Sequence, residues 1–111
     1  MDNSVYDAIV IGSGQGGIPL AGELAGAGRK TAIIEEADVG GSCINYGCTP
    51  SKTIAASARI AHLCRQSGDF GVICGSVAVD LPAVKKRKDE LVSTYRKSRV
   101  SRIENRENLT L

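Results

Sequence analysis

Hydrophobic and polar positions alternate between two kinds of spacing along the first thirty-five residues. Val5 to Ile11 (VYDAIVI) is a short β-rich run ending in Gly-Ser-Gly, which reads as a buried strand entering a tight turn. From Ile18 to Ala27, Leu20, Ala21, Leu24 and Ala25 fall at helical spacing, and Gly28 stands where a helix C-cap is expected. Thr31 to Glu35 (TAIIE) reads as a second strand. Strand, glycine-rich turn, helix and strand within about thirty residues open a βαβ unit, so the fold class is α/β with a parallel sheet. The alanine-rich stretch Ser51 to Arg65 predicts another helix, with Pro50 suited to its first turn. Residues 66 to 80 read as a loop containing a short apolar piece, FGVIC. Pro82 then opens a long helix to about Glu104, with Val84, Leu91, Tyr95 and Ile103 as an apolar stripe. The closing NLTL resembles the start of a strand whose partner is absent.

Composition narrows the picture. The 111 residues suffice for one domain of ordinary size and exclude two nucleotide-binding domains. Hydrophobic residues at 42% and charged residues at 23% permit a packed core, which must be aliphatic because the chain has three Tyr, one Phe and no Trp. No apolar run approaches the ~18 residues of a membrane span. The polar, acidic start lacks the regions of a secretory signal, so a cytoplasmic location is expected. Charge is split: residues 1 to 84 hold five Lys/Arg against eight Asp/Glu, and residues 85 to 111 hold nine against four.

Gly12, Gly14 and Gly17 spell G-x-G-x-x-G directly after the first strand and at the opening of the helix. Gly12 makes the sharp turn, Gly14 lets a pyrophosphate approach the backbone, and Gly17 permits close packing of helix on strand. The helix N-terminus supplies N–H groups and a positive dipole end for phosphate. Glu35, at the end of the next strand, stands where an acid accepts hydrogen bonds from ribose hydroxyls and repels a 2′-phosphate. Dinucleotide binding is therefore expected, and the turn alone leaves FAD and NAD both open. Glu36 and Asp38, which follow, read from their position as loop charges.

The chain holds four cysteines, at positions 43, 48, 64 and 74. Cys43 and Cys48 are too far apart in a regular helix for a disulfide, so a bridge needs a distorted turn. Asn45 and Gly47, both tolerant of left-handed backbone, permit one. Cys48 lies just before the second helix, whose dipole would favour a thiolate.

The stretch GGSCINYGCTPSK, residues 40 to 52, following IVIGSGQGG and AIIEE, resembles the N-terminal part of the FAD-dependent pyridine nucleotide-disulfide oxidoreductases. That family includes dihydrolipoamide dehydrogenase, glutathione reductase and mercuric reductase, and the resemblance runs through essentially all 111 residues. It implies a Rossmann-like FAD-binding domain, of which residues 1 to 111 are the N-terminal portion. It also implies NAD(P)H as electron donor, a redox-active pair formed by Cys43 and Cys48, a small-molecule acceptor of disulfide or related type, Hg(II) included, and a homodimeric full-length enzyme. Gly12, Ser13, Gly14, Gly16 and Gly17 would hold the FAD pyrophosphate, Glu35 and Glu36 the adenosine side, and Gly41, Ser42, Cys43, Gly47, Cys48 and Lys52 the flavin side. Within the pair, Cys48 matches the cysteine beside the flavin and Cys43 the interchange thiol that attacks substrate. Lys52 matches the lysine whose cation favours reduced flavin.

Ser42 stands where threonine is usual, and the turn reads G-Q-G-G where many relatives have Pro-Ala-Gly. NYGCTPSK and RIAHL lean toward mercuric reductase-like members. The NAD(P)H-binding and dimerisation domains of the family are absent from this chain, which is expected to be inactive alone. The alternative is a non-redox dinucleotide-binding module with inert cysteines. Cys64 and Cys74 match no zinc spacing with the first pair, so no metal site is expected. His62 reads as a surface or packing residue. The basic helix, with acids interleaved and few aromatic residues, reads as a solvated face rather than a nucleic-acid surface.

Overall fold

The computed structural model describes residues 5–111; the first four residues of the polar start lie outside it. Strand β1 (Ala8–Ile11) is followed by α1 (Gly17–Gly26), β2 (Thr31–Ile34), a short helix α2 (Gly41–Asn45), α3 (Cys48–Gln66), a 3-10 turn (Ser67–Phe70), α4 (Leu81–Glu104) and β3 (Leu109–Thr110). The three strands form a parallel sheet in the order β1-β2-β3, with Ala8 opposite Thr31 and Thr31 opposite Leu109. The α/β expectation holds, and the closing strand has a partner after all. β3 pairs with β2, and Asn108, in left-handed conformation at φ 63°, accepts a hydrogen bond from Thr31 N at 2.8 Å where it enters the sheet.

Both crossovers step in the same direction across the sheet. A right-handed connection taken twice in one direction puts its helices on one side. The core accordingly lies on that side, where Val10 and Ile33 from the strands meet Ala21 of α1 and Ile103 of α4. The other face is open. Ile9, Ile11 and Ile34 are 60%, 85% and 52% exposed, so the first strand is buried on one side only and not, as its continuous apolar run suggests, on both.

Helix α1 ends at Gly26, and Gly28 takes the left-handed conformation just beyond the C-cap residue Ala27. Helix α4 starts one residue before Pro82, with the Asp80 carboxylate accepting from Ala83 N at 3.0 Å as N-cap. Of the expected stripe on α4, Ile103 is buried and Tyr95 exposed, while Val92 is the other buried position. Helices α3 and α4 run antiparallel: Thr49 and Lys52 line a pocket with Tyr95 and Arg99, and Ile54 lies beside Leu81 and Val84. The hairpin projects from the sheet as an arm, giving extents of 67 × 26 × 19 Å. The radius of gyration is 20.3 Å, against roughly 13 Å for a compact chain of about 100 residues.

Candidate functional site

The glycine turn is built from backbone. Gly12 has φ 97°, and its N–H donates to Ile34 O at 2.7 Å, tying the turn to the end of β2. Gly17 begins α1 under the carbonyl of Gly12, and a Cβ there would lie 1.9 Å from that oxygen. Helix and strand can approach this closely only with glycine at position 17. Gly16 precedes α1 with no side-chain cap, and a Cβ on Gly12 or Gly16 would meet nothing within 4 Å. The outer side of the turn is therefore open beside the N-terminus of α1, where no side chain caps the helix, Ile18 N–H donates to Gly14 O at 3.2 Å and Pro19 has no N–H.

Ser13 is fully buried and holds this turn to two other segments. Its N–H and Oγ–H both donate to Glu35 Oε2, at 3.0 and 2.5 Å, and its Oγ and carbonyl oxygen accept from Gly40 N at 3.1 Å. Glu35 Oε1 accepts from Ala37 N at 3.1 Å. The Ser13 hydroxyl, then the Ser13 and Ala37 backbone N–H groups, hold the Glu35 carboxyl below the usual carboxylate range, against the smaller opposing effect of burial. The sequence reading pairs Ser13 with phosphate and Glu35 with ribose. In the fold the two bond each other, and what Glu35 leaves open to solvent is the remaining capacity of its carboxylate. Glu36 is exposed beside it.

A second loop meets the turn. Gly40 and Gly41 have φ 109° and 69°, and a Cβ on Gly41 would lie 2.6 Å from Gly14 Cα. This Gly14–Gly41 approach brings the glycine turn against the start of α2. Asn45, at the other end of α2, is buried and donates from Nδ2 to the carbonyls of Asp38, Val39 and Gly41, at 3.1, 3.2 and 2.9 Å. Its Oδ1 accepts from Arg96 Nε at 2.9 Å, and Arg96 also pairs with Asp38 at 2.9 Å. Tyr46 Oη donates to Asp38 Oδ2 at 2.5 Å, and that bond raises the Tyr46 pKa. Asp38 is thus an anchor for α2 and α4 rather than a loop charge.

Cys43 and Cys48 are joined as a disulfide with Cα atoms 4.6 Å apart. The distorted turn expected between them takes the form of a helix break. α2 stops at Asn45 and α3 starts at Cys48, with Gly47 between them at φ −123° and ψ −101°. Neither Asn45 nor Gly47 is left-handed, which corrects the expected device. Gly47 is required for another reason, since a Cβ there would approach Ser42 O to 3.2 Å. Helix α3 therefore starts three residues earlier than its alanine-rich pattern, with Cys48 as first residue and Pro50 still inside the first turn, where no N–H is needed. Cys48 is exposed and Cys43 half-buried.

An open pocket of about 350 Å3 joins these parts. Gln15 of the turn, Cys43, Cys48 and Lys52 line it, opposite Leu91, Tyr95 and Arg99 of α4. The fold thus gathers the glycine turn, the disulfide and Lys52. It leaves Glu35 and Glu36 at the far end of the turn, and Ser42 exposed beside Gly41. Sequence reasoning missed the contribution of α4 and the bracing by Asn45. The signal available for α4 was Tyr95 and Arg99, four residues apart and hence on one helix face. Lys85 and Lys86 of α4 do behave as solvated charges, in Lys85–Asp89 and Lys86–Glu90 pairs along the helix, whereas Lys88 is half-buried. Arg87, in contrast, donates to Thr53 O at 3.2 Å and fastens α4 to α3.

Among the described residues, no three His, Cys, Asp or Glu side chains gather as metal ligands, and no helix is long and apolar enough to cross a membrane. His62 lies exposed on α3.

Residues 6–111 match the family model described as pyridine nucleotide-disulphide oxidoreductase. A dihydrolipoyl dehydrogenase of Chlamydia muridarum is 45% identical over 94 residues, 85% of this chain and 20% of that protein. A mercuric reductase of Bacillus cereus is 39% identical over 94 residues, again 85% of this chain and 15% of its own length. Among solved structures, the Cu(II) complex of a mutant of the HOCl-induced flavoprotein disulfide reductase RclA from Escherichia coli superposes with a TM-score of 0.77 at 30% identity, covering 96% of this chain and 21% of that one. The chain thus spans 15–21% of the length of these relatives. With the family model matched along nearly its whole length and the glycine turn and bonded cysteine pair in one fold, this chain belongs to the pyridine nucleotide-disulfide oxidoreductases.

Proposed function

We propose that this chain is the N-terminal part of an FAD-binding domain and that it supplies the redox-active disulfide of an NAD(P)H-dependent flavoprotein reductase. The observation that carries the reading is the shared pocket. A bonded Cys43–Cys48 pair and Lys52 line one cavity with Gln15 of the glycine turn. The non-redox alternative gives no reason for a disulfide at that place.

The residues fit a dinucleotide. Open space at Gly12 and Gly16, an uncapped α1 and the bare backbone contact of Gly14 with Gly41 form a cradle that side chains would fill. Gly12 to Gly17 would hold the pyrophosphate of FAD, Glu35 the ribose hydroxyls through its free carboxylate capacity, and Lys52 would place a cation beside the ring. Bound there, FAD supplies two-electron transfer between NAD(P)H and the cysteine pair.

The chain's own chemistry is thiol–disulfide exchange. Once the pair is reduced, the Cys43 thiolate, given the attacking role by the family resemblance although Cys48 is the more exposed of the two in this chain, attacks one sulfur of an acceptor disulfide, a mixed disulfide forms and one acceptor thiol leaves. The Cys48 thiolate then attacks the Cys43 sulfur, restoring Cys43–Cys48 and releasing the second thiol. Leu91, Tyr95 and Arg99 face that reaction from α4 and are placed to select the acceptor. A small disulfide is the acceptor class this chemistry favours, with Hg(II) the alternative that the mercuric reductase relative brings.

The test uses Gly14→Ala, whose Cβ meets only Gly41 Cα at an ordinary 3.9 Å, so that folding survives. In the longer enzyme, loss of bound flavin with an unchanged unfolding midpoint supports the reading, and normal flavin content refutes it. The 111 residues alone are expected to bind FAD weakly or not at all and to leave NADH and NADPH unoxidised. Stoichiometric flavin binding with sustained turnover would contradict this.

A further inference from the structure

Two cysteines lie outside the site just described. Cys64 and Cys74 are unbonded, yet both line one open pocket of about 460 Å3 near the tip of the arm. There the chain turns back past the end of α3, with Val72 N donating to Ser67 O at 3.0 Å. Cys64 is half-buried in the last turn of α3, and Cys74 is exposed in a segment without regular structure between Gly71 and α4.

Both thiols stand on the wall of this one open pocket, and closing a bridge needs an approach of the two to a Cα spacing of about 4.4–6.8 Å. The backbone around Cys74 has the space to make it. Gly71 and Gly75 bracket this cysteine, and a Cβ on either would meet nothing within 4 Å.

We propose that Cys64 and Cys74 are a second dithiol, which exchanges with low-molecular-weight disulfides and closes to an intramolecular bridge strapping residues 71–80 onto α3. The exposed Cys74 thiolate attacks one sulfur of the small disulfide, whose S–S bond breaks and releases one small thiol. The Cys64 thiolate then attacks the Cys74 sulfur of the mixed disulfide and displaces the second. Two protein thiols are oxidised to one disulfide and one small disulfide is reduced to two thiols, so electrons and protons balance. Exposure sets the order, with Cys74 attacking first and the shielded Cys64 resolving. The strap fixes the tip of the hairpin whose base, in α3 and α4, lines the Cys43–Cys48 pocket.

A disulfide map of the full chain tests this. The chain, with Cys43–Cys48 oxidised, is incubated with oxidised glutathione without denaturant, quenched in acid and digested with trypsin. Cleavage after Arg59, Arg65 and Lys85 leaves Cys64 on residues 60–65 and Cys74 on residues 66–85. The expected product has both thiols lost and these two fragments linked within one chain, with no disulfide between chains. Cys64→Ser should stop at a stable glutathione adduct on Cys74, and Cys74→Ser should react roughly tenfold more slowly than the parent. Persistent glutathione on both cysteines, links between chains, links to Cys43 or Cys48, or a native yield no higher than in urea would each overturn the proposal.

Discussion

Replacing Gly17 by alanine isolates the contact on which the glycine turn depends. The added Cβ would stand 1.9 Å from the Gly12 carbonyl oxygen, and reaching the 3.0 Å below which real Cβ contacts are essentially never seen requires a movement of about 1.1 Å. The obstacle is backbone on both sides, so no rotamer relieves it. α1 must lift from β1, pulling the fully buried Ala21 away from Val10 and Ile33. Overpacking of this severity costs about 3 kcal/mol, and the better helix propensity of alanine returns up to about 1. The net loss is about 2 kcal/mol, which at a urea dependence of about 1 kcal/mol/M moves the unfolding midpoint down by about 2 M. Gly16→Ala is the control, because its Cβ meets nothing within 4 Å. Urea titration followed by far-UV circular dichroism compares the two. A Gly17→Ala midpoint equal to the parent's, or an equal loss for Gly16→Ala, would refute the packing argument.

Other consequences are as direct. Glu35→Gln should destabilise the chain by about 1–2 kcal/mol at neutral pH, since charge-assisted bonds from Ser13 are lost at a partly exposed site. The Glu35 pKa lies below its ordinary value, so this contribution is complete above the unfolded-state pKa and fades as pH falls through the folded one. Midpoints of parent and variant should therefore converge in acid; a difference that persists would argue against the carboxylate as its source. Arg96→Ala removes bonds to Asp38 and Asn45 together and should cost about 2 kcal/mol, with proteolysis of the arm accelerated; unchanged cleavage would show that α4 is held elsewhere. Changing Ile9, Ile11 and Ile34 to lysine or threonine should lower self-association of the isolated chain on sedimentation, because these residues form its exposed sheet face. Equal association of parent and variant would point to another surface.

The parts of this fold that were legible in the sequence are those governed by local rules. Gly12 needs a positive φ, Gly17 must lie close under a strand, and Pro82 suits a helix start; each is a property of one residue and its neighbours. The Cys43–Cys48 bond was anticipated through resemblance, while its means, a break at Gly47, depends on where Ser42 O lies in space. Asn45 and Asp38 were misjudged, and the Ser13–Glu35 bond missed, for one reason. Their partners stand 22 residues away at Glu35, 51 at Arg96 and, for Asp38, again on α4, and no periodicity encodes a pairing over that distance. The one-sided burial of β1 was hidden likewise, because it follows from the sense of two crossovers and not from the strand's own residues.

The bare contact of Gly14 with Gly41 also limits what variation can do to this protein. Side chains usually act as adjustable spacers, and a site can drift by a methylene here or there. At this junction no spacer exists, so the gap between the glycine turn and the loop that carries Cys43 is a constant of the backbone, and a single methyl group at Gly41 would enter it within 2.6 Å of Gly14 Cα. Positions such as Gln15, Leu91, Tyr95 and Arg99, which face the pocket with side chains, remain free to diversify. On the proposed function, new acceptors would be met by altering the α4 wall while the spacing between the glycine turn and the disulfide loop stays fixed.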